Sequence, residues 1–119
     1  MQKDMKKIEA VIPPSRLDVV RAELARRGVW GKLTLTDVQQ GETHKSSIGT
    51  ENGSADSLHS RIKIELIVAD PQVDKAINVI LRHAVSDPSE SGADEHGGQV
   101  TLLHIDEILQ IAPPARENP

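Results

Sequence analysis

The residues that could do chemistry in this chain are its histidines, a short acidic run and scattered serines. No two histidines are spaced four residues apart as metal ligands on one helix face, and the chain has no cysteine to support them. Asp94, Glu95 and His96 lie in a polar stretch where solvated charges are normal, and no serine lies in a nucleophile-elbow pattern. We therefore predict that the chain is not an enzyme and that its histidines are surface or loop residues. They are His44, His59, His83, His96 and His104.

The elements that would position any site are organised around residues 61–84. The first part of this stretch is rich in β-branched residues and alternates, which predicts a strand with one buried side. Its buried side would consist of Ile62, Ile64, Leu66 and Val68, and its other side would carry Lys63, Glu65 and Ile67. A helix should follow, with Asp70 as its cap and Pro71 in its first turn.

The same unit recurs near the N-terminus. A shift of 56 positions places Ile8 and Glu9 on Ile64 and Glu65, and Leu17 on Val73, without a gap. We interpret this match as a duplicated strand-helix-strand unit. The first strand is predicted over residues 6–12, followed by a helix that Ser15 and Asp18 would open as a capping box and that Gly28 would end.

The remaining segments complete the order of elements. Residues 32–38 alternate like a strand, residues 39–60 and 86–99 are polar and contain several glycines, and residues 100–111 predict one last strand or two short ones. Residues 1–112 should form one domain and residues 113–119 a loosely held tail. The fold class is then α+β, a ferredoxin-like β-α-β-β-α-β arrangement with an antiparallel sheet and both helices on one face.

The uncovered face of this sheet predicts an assembly. Val11, Val38 and Ile67 would lie on it, and a contiguous apolar patch on a sheet usually marks an interface. We therefore expect a closed homo-oligomer in which these faces pack together.

Composition excludes several classes of protein. One Trp is the only aromatic residue and the net charge is −4, which argues against a nucleic-acid partner. The absence of cysteine excludes disulfides and thiol chemistry, and no apolar run approaches the roughly 20 residues that cross a bilayer. We expect a cytoplasmic protein.

Two blocks of the sequence, MKKIEAVIPPSRLDVVRAELARRGVWG and RIKIELIVADPQVDKAINVI, resemble the PII family of signalling proteins. The resemblance implies a homotrimer that binds an adenine nucleotide in each cleft between subunits. Residues 39–60 take the position of the family's T-loop, which docks on a transporter or an enzyme, and residues 86–99 that of its B-loop, which faces the phosphates. Through a transporter the protein would associate with a membrane.

The same resemblance implies a set of site residues. The adenine pocket would involve Val11, Thr34, Glu65 and Ile67, the T-loop base Gly41, and the phosphate contacts the backbone of Gly97 and Gly98. Aliphatic walls with a few fixed polar groups suit a purine, and glycines let backbone N–H groups approach phosphate. Judged on their residue types alone, these positions would be ordinary strand and turn residues.

Departures from the family pattern change the expected ligand. Glycine or Gln99 stands near the usual B-loop lysine, and Gln110 and Ala112 fall at the usual arginines. ATP should therefore bind more weakly than ADP or AMP, unless Lys45, Arg116 or a neighbouring subunit supplies charge.

The chain also lacks the T-loop tyrosine, and its loops look more like the inorganic-carbon and carboxysome-associated PII-like proteins. That subgroup implies bicarbonate, for which backbone N–H groups at Gly41 and Glu42 are the candidates. A nitrogen-regulatory PII protein acting on an ammonium transporter or enzyme is the alternative. A trimeric small-metabolite or metal-binding module is another, in which His44 or His96 would be the first candidate ligands.

Overall fold

The computed structural model describes residues 4–43, 58–85 and 98–112. Four strands and two helices follow one another along them in the predicted order. Their bounds are β1 Met5–Ile12, α1 Leu17–Arg26, β2 Lys32–Gln40, β3 His59–Ala69, α2 Val73–His83 and β4 Val100–His104.

The four strands form one antiparallel sheet in the order β2-β3-β1-β4. The two central strands, β1 and β3, are the two halves of the duplication, and Ile8 lies opposite Leu66 in their ladder. This is the ferredoxin-like arrangement that the order of elements predicts. No helix among the described residues is both long enough and apolar enough to cross a membrane.

The 56-residue repeat extends to local structure. A single 3-10 turn, Pro14–Arg16 in the first half and Asp70–Gln72 in the second, precedes each helix, and the helices begin at Leu17 and Val73. Both turns have a proline in their first two positions, where its fixed φ is favourable and no N–H is required. The two halves therefore share the strand, the turn and the helix start.

The core lies between the helices and one face of the sheet. It is aliphatic throughout, as the near absence of aromatic residues requires, and its strand residues alternate as predicted. The buried residues are Ile8, Ala10, Ile12, Ile64, Leu66 and Val68 from the strands, Val20 and Leu24 from α1, and Val73, Ala76, Val79 and Ile80 from α2.

The predicted helix caps are wrong. Neither helix has a side-chain cap hydrogen bond, and the residues before them, Arg16 and Gln72, are helical already. Because the prolines open 3-10 turns, Ser15 lies inside a turn instead of ahead of a helix. Asp70 binds Lys6 instead, with 2.7 Å between Oδ1 and Nζ, and so links the second turn to β1.

Three boundaries also differ from the prediction. The T-loop was expected to begin at residue 39, but β2 continues through Gln40 and pairs with β3 from His59. These end residues are polar and exposed, so their backbone pairing leaves no hydrophobic pattern in the sequence. The last strand ends at His104, and residues 105–112 form no further strand. The rest of the T-loop, residues 44–57, lies outside the described residues, as do residues 86–97 and the tail 113–119.

Candidate functional site

The site is built on the face of the sheet that the helices do not cover. Residues directly opposite in an antiparallel ladder share a face. Thr34 on β2 lies opposite Glu65 on β3, and Glu65 in turn lies opposite Glu9 on β1. Ile67 follows Glu65 on the same side of β3. The fold therefore brings together Thr34, Glu65 and Ile67, three of the residues implied by the resemblance.

Glu9 and Glu65 would repel each other if nothing lay between them, because like charges directly across a ladder are destabilising. Lys7 resolves this conflict. Its Nζ lies 2.6 Å from Glu65 Oε2 and 3.0 Å from Glu9 Oε2. The three side chains are about a quarter to a third exposed, so water screens the cluster only in part.

The pKa values of the cluster move in the directions that pairing requires. The hydrogen bond from Lys7 lowers the pKa of Glu65, and the hydrogen bonds to Glu65 and Glu9 raise the pKa of Lys7. At neutral pH, Glu65 is therefore a carboxylate held in place by an ammonium group. It offers acceptor atoms beside the hydroxyl of Thr34, which can both donate and accept.

The open face of the sheet is less apolar than the sequence predicts. We expected Val11, Val38 and Ile67 to form a contiguous apolar patch, but each faces a cation across the ladder. Val11 lies opposite Lys63, Val38 opposite Arg61, and Ile67 opposite Lys7 and Lys32. All three apolar side chains are half-buried. The face is a mixed surface with a charged centre.

A second part of the implied site lies two residues before β4. Gly98 approaches the backbone of β1 so closely that a Cβ on it would lie 2.8 Å from the carbonyl oxygen of Val11. Only a glycine fits there without movement of one strand. Val11 and Gly98 are therefore neighbours, as a shared site requires, whereas Gly97 lies outside the described residues.

The proposed anion positions lie away from these groups. Gly41 and Glu42 are exposed and directly follow the last ladder pair, Gln40 and His59. Thr34 lies six residues back from Gln40 along β2. One subunit therefore does not bring the adenine residues and the T-loop base together.

Several other candidates take no part in this face. An open cleft of about 400 Å³ lies at the C-terminal half of α2, and none of the implied site residues lines it. Within residues 4–43, 58–85 and 98–112, no group of three potential ligands is placed to hold a metal ion. His44 and His96 lie outside these ranges, as do Lys45 and Arg116. Gln110 and Ala112 are exposed beyond β4.

Sequence reasoning missed Lys7 and Glu9. The repeat did carry a signal, since it matches Glu9 with Glu65 and so predicts two carboxylates at equivalent strand positions. The repeat could not supply the register in which β1 pairs with β3. Only the antiparallel pairing of β1 with β3 places those carboxylates side by side with Lys7 between them.

The sheet order, the single layer of two helices and the polar cluster on the free face define a ferredoxin-like α+β protein. Comparison with known proteins gives the family. The model of the family "Nitrogen regulatory protein P-II" matches residues 5–113, nearly the whole chain, and the chain therefore belongs to the P-II family.

Individual relatives agree with this assignment. The nitrogen regulatory protein P-II of Pasteurella multocida is 39% identical over 110 residues, and that of Pyropia yezoensis is 31% identical over 109. In both comparisons the alignment covers 90% of this chain and 91% of the relative.

Solved structures give the same fold. The B. subtilis GlnK–ATP complex superposes with a TM-score of 0.66 at 25% identity, covering 88% of this chain and 84% of the other. Arabidopsis thaliana PII bound to citrate gives a TM-score of 0.65 at 20% identity, covering 92% and 82%. At that identity the second likeness supports the fold alone.

Proposed function

We propose that this P-II family protein is a cytoplasmic signalling trimer that binds an adenine nucleotide in the clefts between its subunits. The observation that carries the proposal is the grouping of Thr34, Glu65 and Ile67 on the open sheet face. An apolar wall beside two fixed polar groups suits a purine ring. The similarity to a GlnK protein solved with ATP supports a nucleotide as the ligand class.

The open face carries Lys32, Arg61 and Lys63 as well as Lys7, and the preference for ADP or AMP over ATP rests on the neutral residues at the expected phosphate positions. The ammonium group of Lys7 is already shared by two carboxylates and adds little net positive charge. Lys63 lies opposite Val11, and Val11 contacts Gly98, so this lysine is a candidate to meet a phosphate near that glycine. The neutral residues Gln99, Gln110 and Ala112 add no charge there. A triphosphate requires more cationic partners than a monophosphate or diphosphate does.

The finer part of the proposal concerns bicarbonate and the regulated partner. Backbone N–H groups at Gly41 and Glu42, exposed just beyond the last ladder pair of the hairpin, would bind this small anion. Residues 39–60 would dock on an inorganic-carbon transporter at the membrane. Nucleotide and bicarbonate together would then set whether the partner is engaged.

Titration calorimetry tests the ligand assignment. The protein is titrated with AMP, ADP and ATP, each with and without bicarbonate. We expect one AMP or ADP per subunit, bound more tightly than ATP and tightened by bicarbonate, with reciprocal tightening of bicarbonate by the nucleotide. If none of the three nucleotides binds, the proposed function is refuted.

A second candidate function follows from the relatives. Those described above carry the description nitrogen regulatory protein P-II, and the GlnK structure contains ATP. Tight ATP binding that is indifferent to bicarbonate would favour a nitrogen-regulatory role on an ammonium transporter or enzyme. Modification of a T-loop tyrosine could not serve this role, because the chain has no tyrosine.

A matched pair of variants tests the site residues. Glu65→Ala and Glu9→Ala each remove one of the two carboxylates that bind Lys7, but only Glu65 lies opposite Thr34. We expect Glu65→Ala to weaken ADP binding about tenfold or more, and Glu9→Ala to change it much less. Equal effects of the two variants would place the nucleotide elsewhere.

Deletion of residues 44–57 tests the docking segment separately. The deletion leaves the β2–β3 ladder intact, so ADP affinity should persist while co-purification with the partner is lost. Retained partner binding would contradict the role proposed for this segment.

A further inference from the structure

Trp30 is the only aromatic residue of the chain, and it is 79% exposed. Single exposed apolar residues are common on protein surfaces and need no explanation by themselves. The core is entirely aliphatic, so the one indole of the chain, its largest apolar side chain, lies on the surface. Its surroundings then decide what it can contact.

Gly31, the residue after Trp30, packs against the strand that carries the candidate nucleotide site. A Cβ on Gly31 would collide with the carbonyl oxygen of Ile67 and lie 2.7 Å from Cγ1 of Val68. Val68 is fully buried in the core, so residue 31 faces the helix side of the sheet. The chain next to Trp30 is therefore pressed against the same strand segment that contributes Ile67 to the site.

The register of β2 gives the site residues that lie nearest to Trp30 along the chain. Lys32, two residues later, pairs with Ile67, and Thr34, four residues later, pairs with Glu65 on the open face. Trp30 and Gly31 lie in the connection just before β2, so Trp30 is two residues from the pair of Lys32 with Ile67 at the edge of the open face. The indole therefore starts from a backbone position next to Ile67 and four residues before Thr34, within reach of the open face.

We propose that the indole of Trp30 stacks on the adenine base of the bound nucleotide and is a specificity-determining part of its site. This inference rests on the proposed function and adds a residue to it. Stacking would cover apolar indole surface that is otherwise in water, and Thr34 and Glu65 would supply the directional hydrogen bonds to the base edge.

Fluorescence is the first test, because the chain has no second Trp and no Tyr, so that its emission reports Trp30 alone. ADP and AMP should change the emission saturably, with the same midpoint as their calorimetric titrations. Ribose 5-phosphate, which carries phosphate but no base, should leave the emission unchanged.

Variants provide the second test. Trp30→Ala should weaken ADP binding by roughly 5- to 150-fold, the range found when an aromatic partner of a base is removed, and Trp30→Phe should restore most of the affinity. Leu81→Ala is the matched control, since Leu81 is a large apolar residue 53% exposed on α2. The affinity of the Leu81→Ala variant for ADP should equal that of the unmodified protein. Sedimentation should give the same oligomeric state for all four proteins.

The outcomes separate the inference from the function on which it rests. Normal ADP binding by Trp30→Ala, or an unchanged emission of the unmodified protein at saturating ADP, would overturn the stacking and leave the nucleotide site standing. Dissociation of the Trp30→Ala assembly would also overturn it, because the loss of ADP binding would then follow from loss of the cleft between subunits instead of loss of stacking. No calorimetric binding of any nucleotide to the unmodified protein would overturn both.

Discussion

Substitution of Gly31 tests the packing of β2 against β3, on which the candidate site depends. In Gly31→Ala the added methyl would collide with the backbone carbonyl of Ile67 and lie 2.7 Å from Cγ1 of Val68. A backbone atom cannot rotate away, so the start of β2 must move. Overpacking costs about 1–3 kcal/mol, and the rigid neighbour indicates the upper end of this range. For a domain of this size we expect the melting temperature to fall by about 12 °C.

Gly28→Ala is the matched control, because it adds the same methyl to the same connection. Gly28 has a φ of 72° and open space around its missing Cβ, so the cost is one of backbone conformation alone. That cost is about 1–2 kcal/mol, or a fall of about 4–8 °C.

Thermal unfolding at fixed protein concentration compares the two variants, and calorimetry with ADP measures the consequence for the site. Only Gly31→Ala should weaken ADP binding, since only it displaces the strand that carries Thr34. A Gly31→Ala protein that melts within about 2 °C of the unmodified protein would refute the close approach of the two strands.

Further predictions concern the core, the charged cluster and the glycine at β4. Ile64→Ala should destabilise the protein by about 2–5 kcal/mol in denaturant titrations, because Ile64 is fully buried in the central strand. The pair between Lys7 and Glu65 should make the melting temperature fall at both low and high pH. In Lys7→Met the melting temperature should depend less on pH at both ends of the range. The lowered pKa of Glu65 contributes stability above its ordinary value of 4.5 that is lost as the pH falls through the folded value. The raised pKa of Lys7 contributes stability below its ordinary value of 10.5 that is lost as the pH rises through the folded value. Gly98→Ala should push β4 from the carbonyl of Val11 and weaken ADP binding in calorimetry, and unchanged binding would contradict a phosphate contact there.

The sequence predicted the fold well because its strongest signals are local and occur twice. Alternation in residues 62–68 follows from burial of one strand face, and the 56-residue shift carries the same pattern to β1. Gly28 ends α1 with a positive φ, as a glycine at that position predicts. The errors arose where tertiary contacts override local preference. Asp70 has a side chain suited to a helix cap, but Lys6 on the neighbouring strand binds it instead.

The candidate site was less accessible from sequence for the same reason. The grouping of Thr34 with Glu65 depends on a register between strands separated by the whole T-loop, and no local pattern contains that register. The family resemblance implied Thr34 and Glu65 as site residues but did not indicate which side chains lie next to them. The role of Lys7 became evident only from its distances to two carboxylates on different strands.

The continued pairing of β2 with β3 beyond the core has a mechanical consequence. The ladder runs without interruption from Thr34 and Glu65 to Gln40 and His59. Six residues of strand span roughly 20 Å, so this hairpin is a lever arm whose fulcrum lies at the candidate nucleotide site. A tilt of about 5° at the fulcrum would displace the far end by roughly 2 Å over that length. A small tilt of the hairpin at Glu65 therefore produces a larger displacement of residues 41–43, where the chain leaves the sheet.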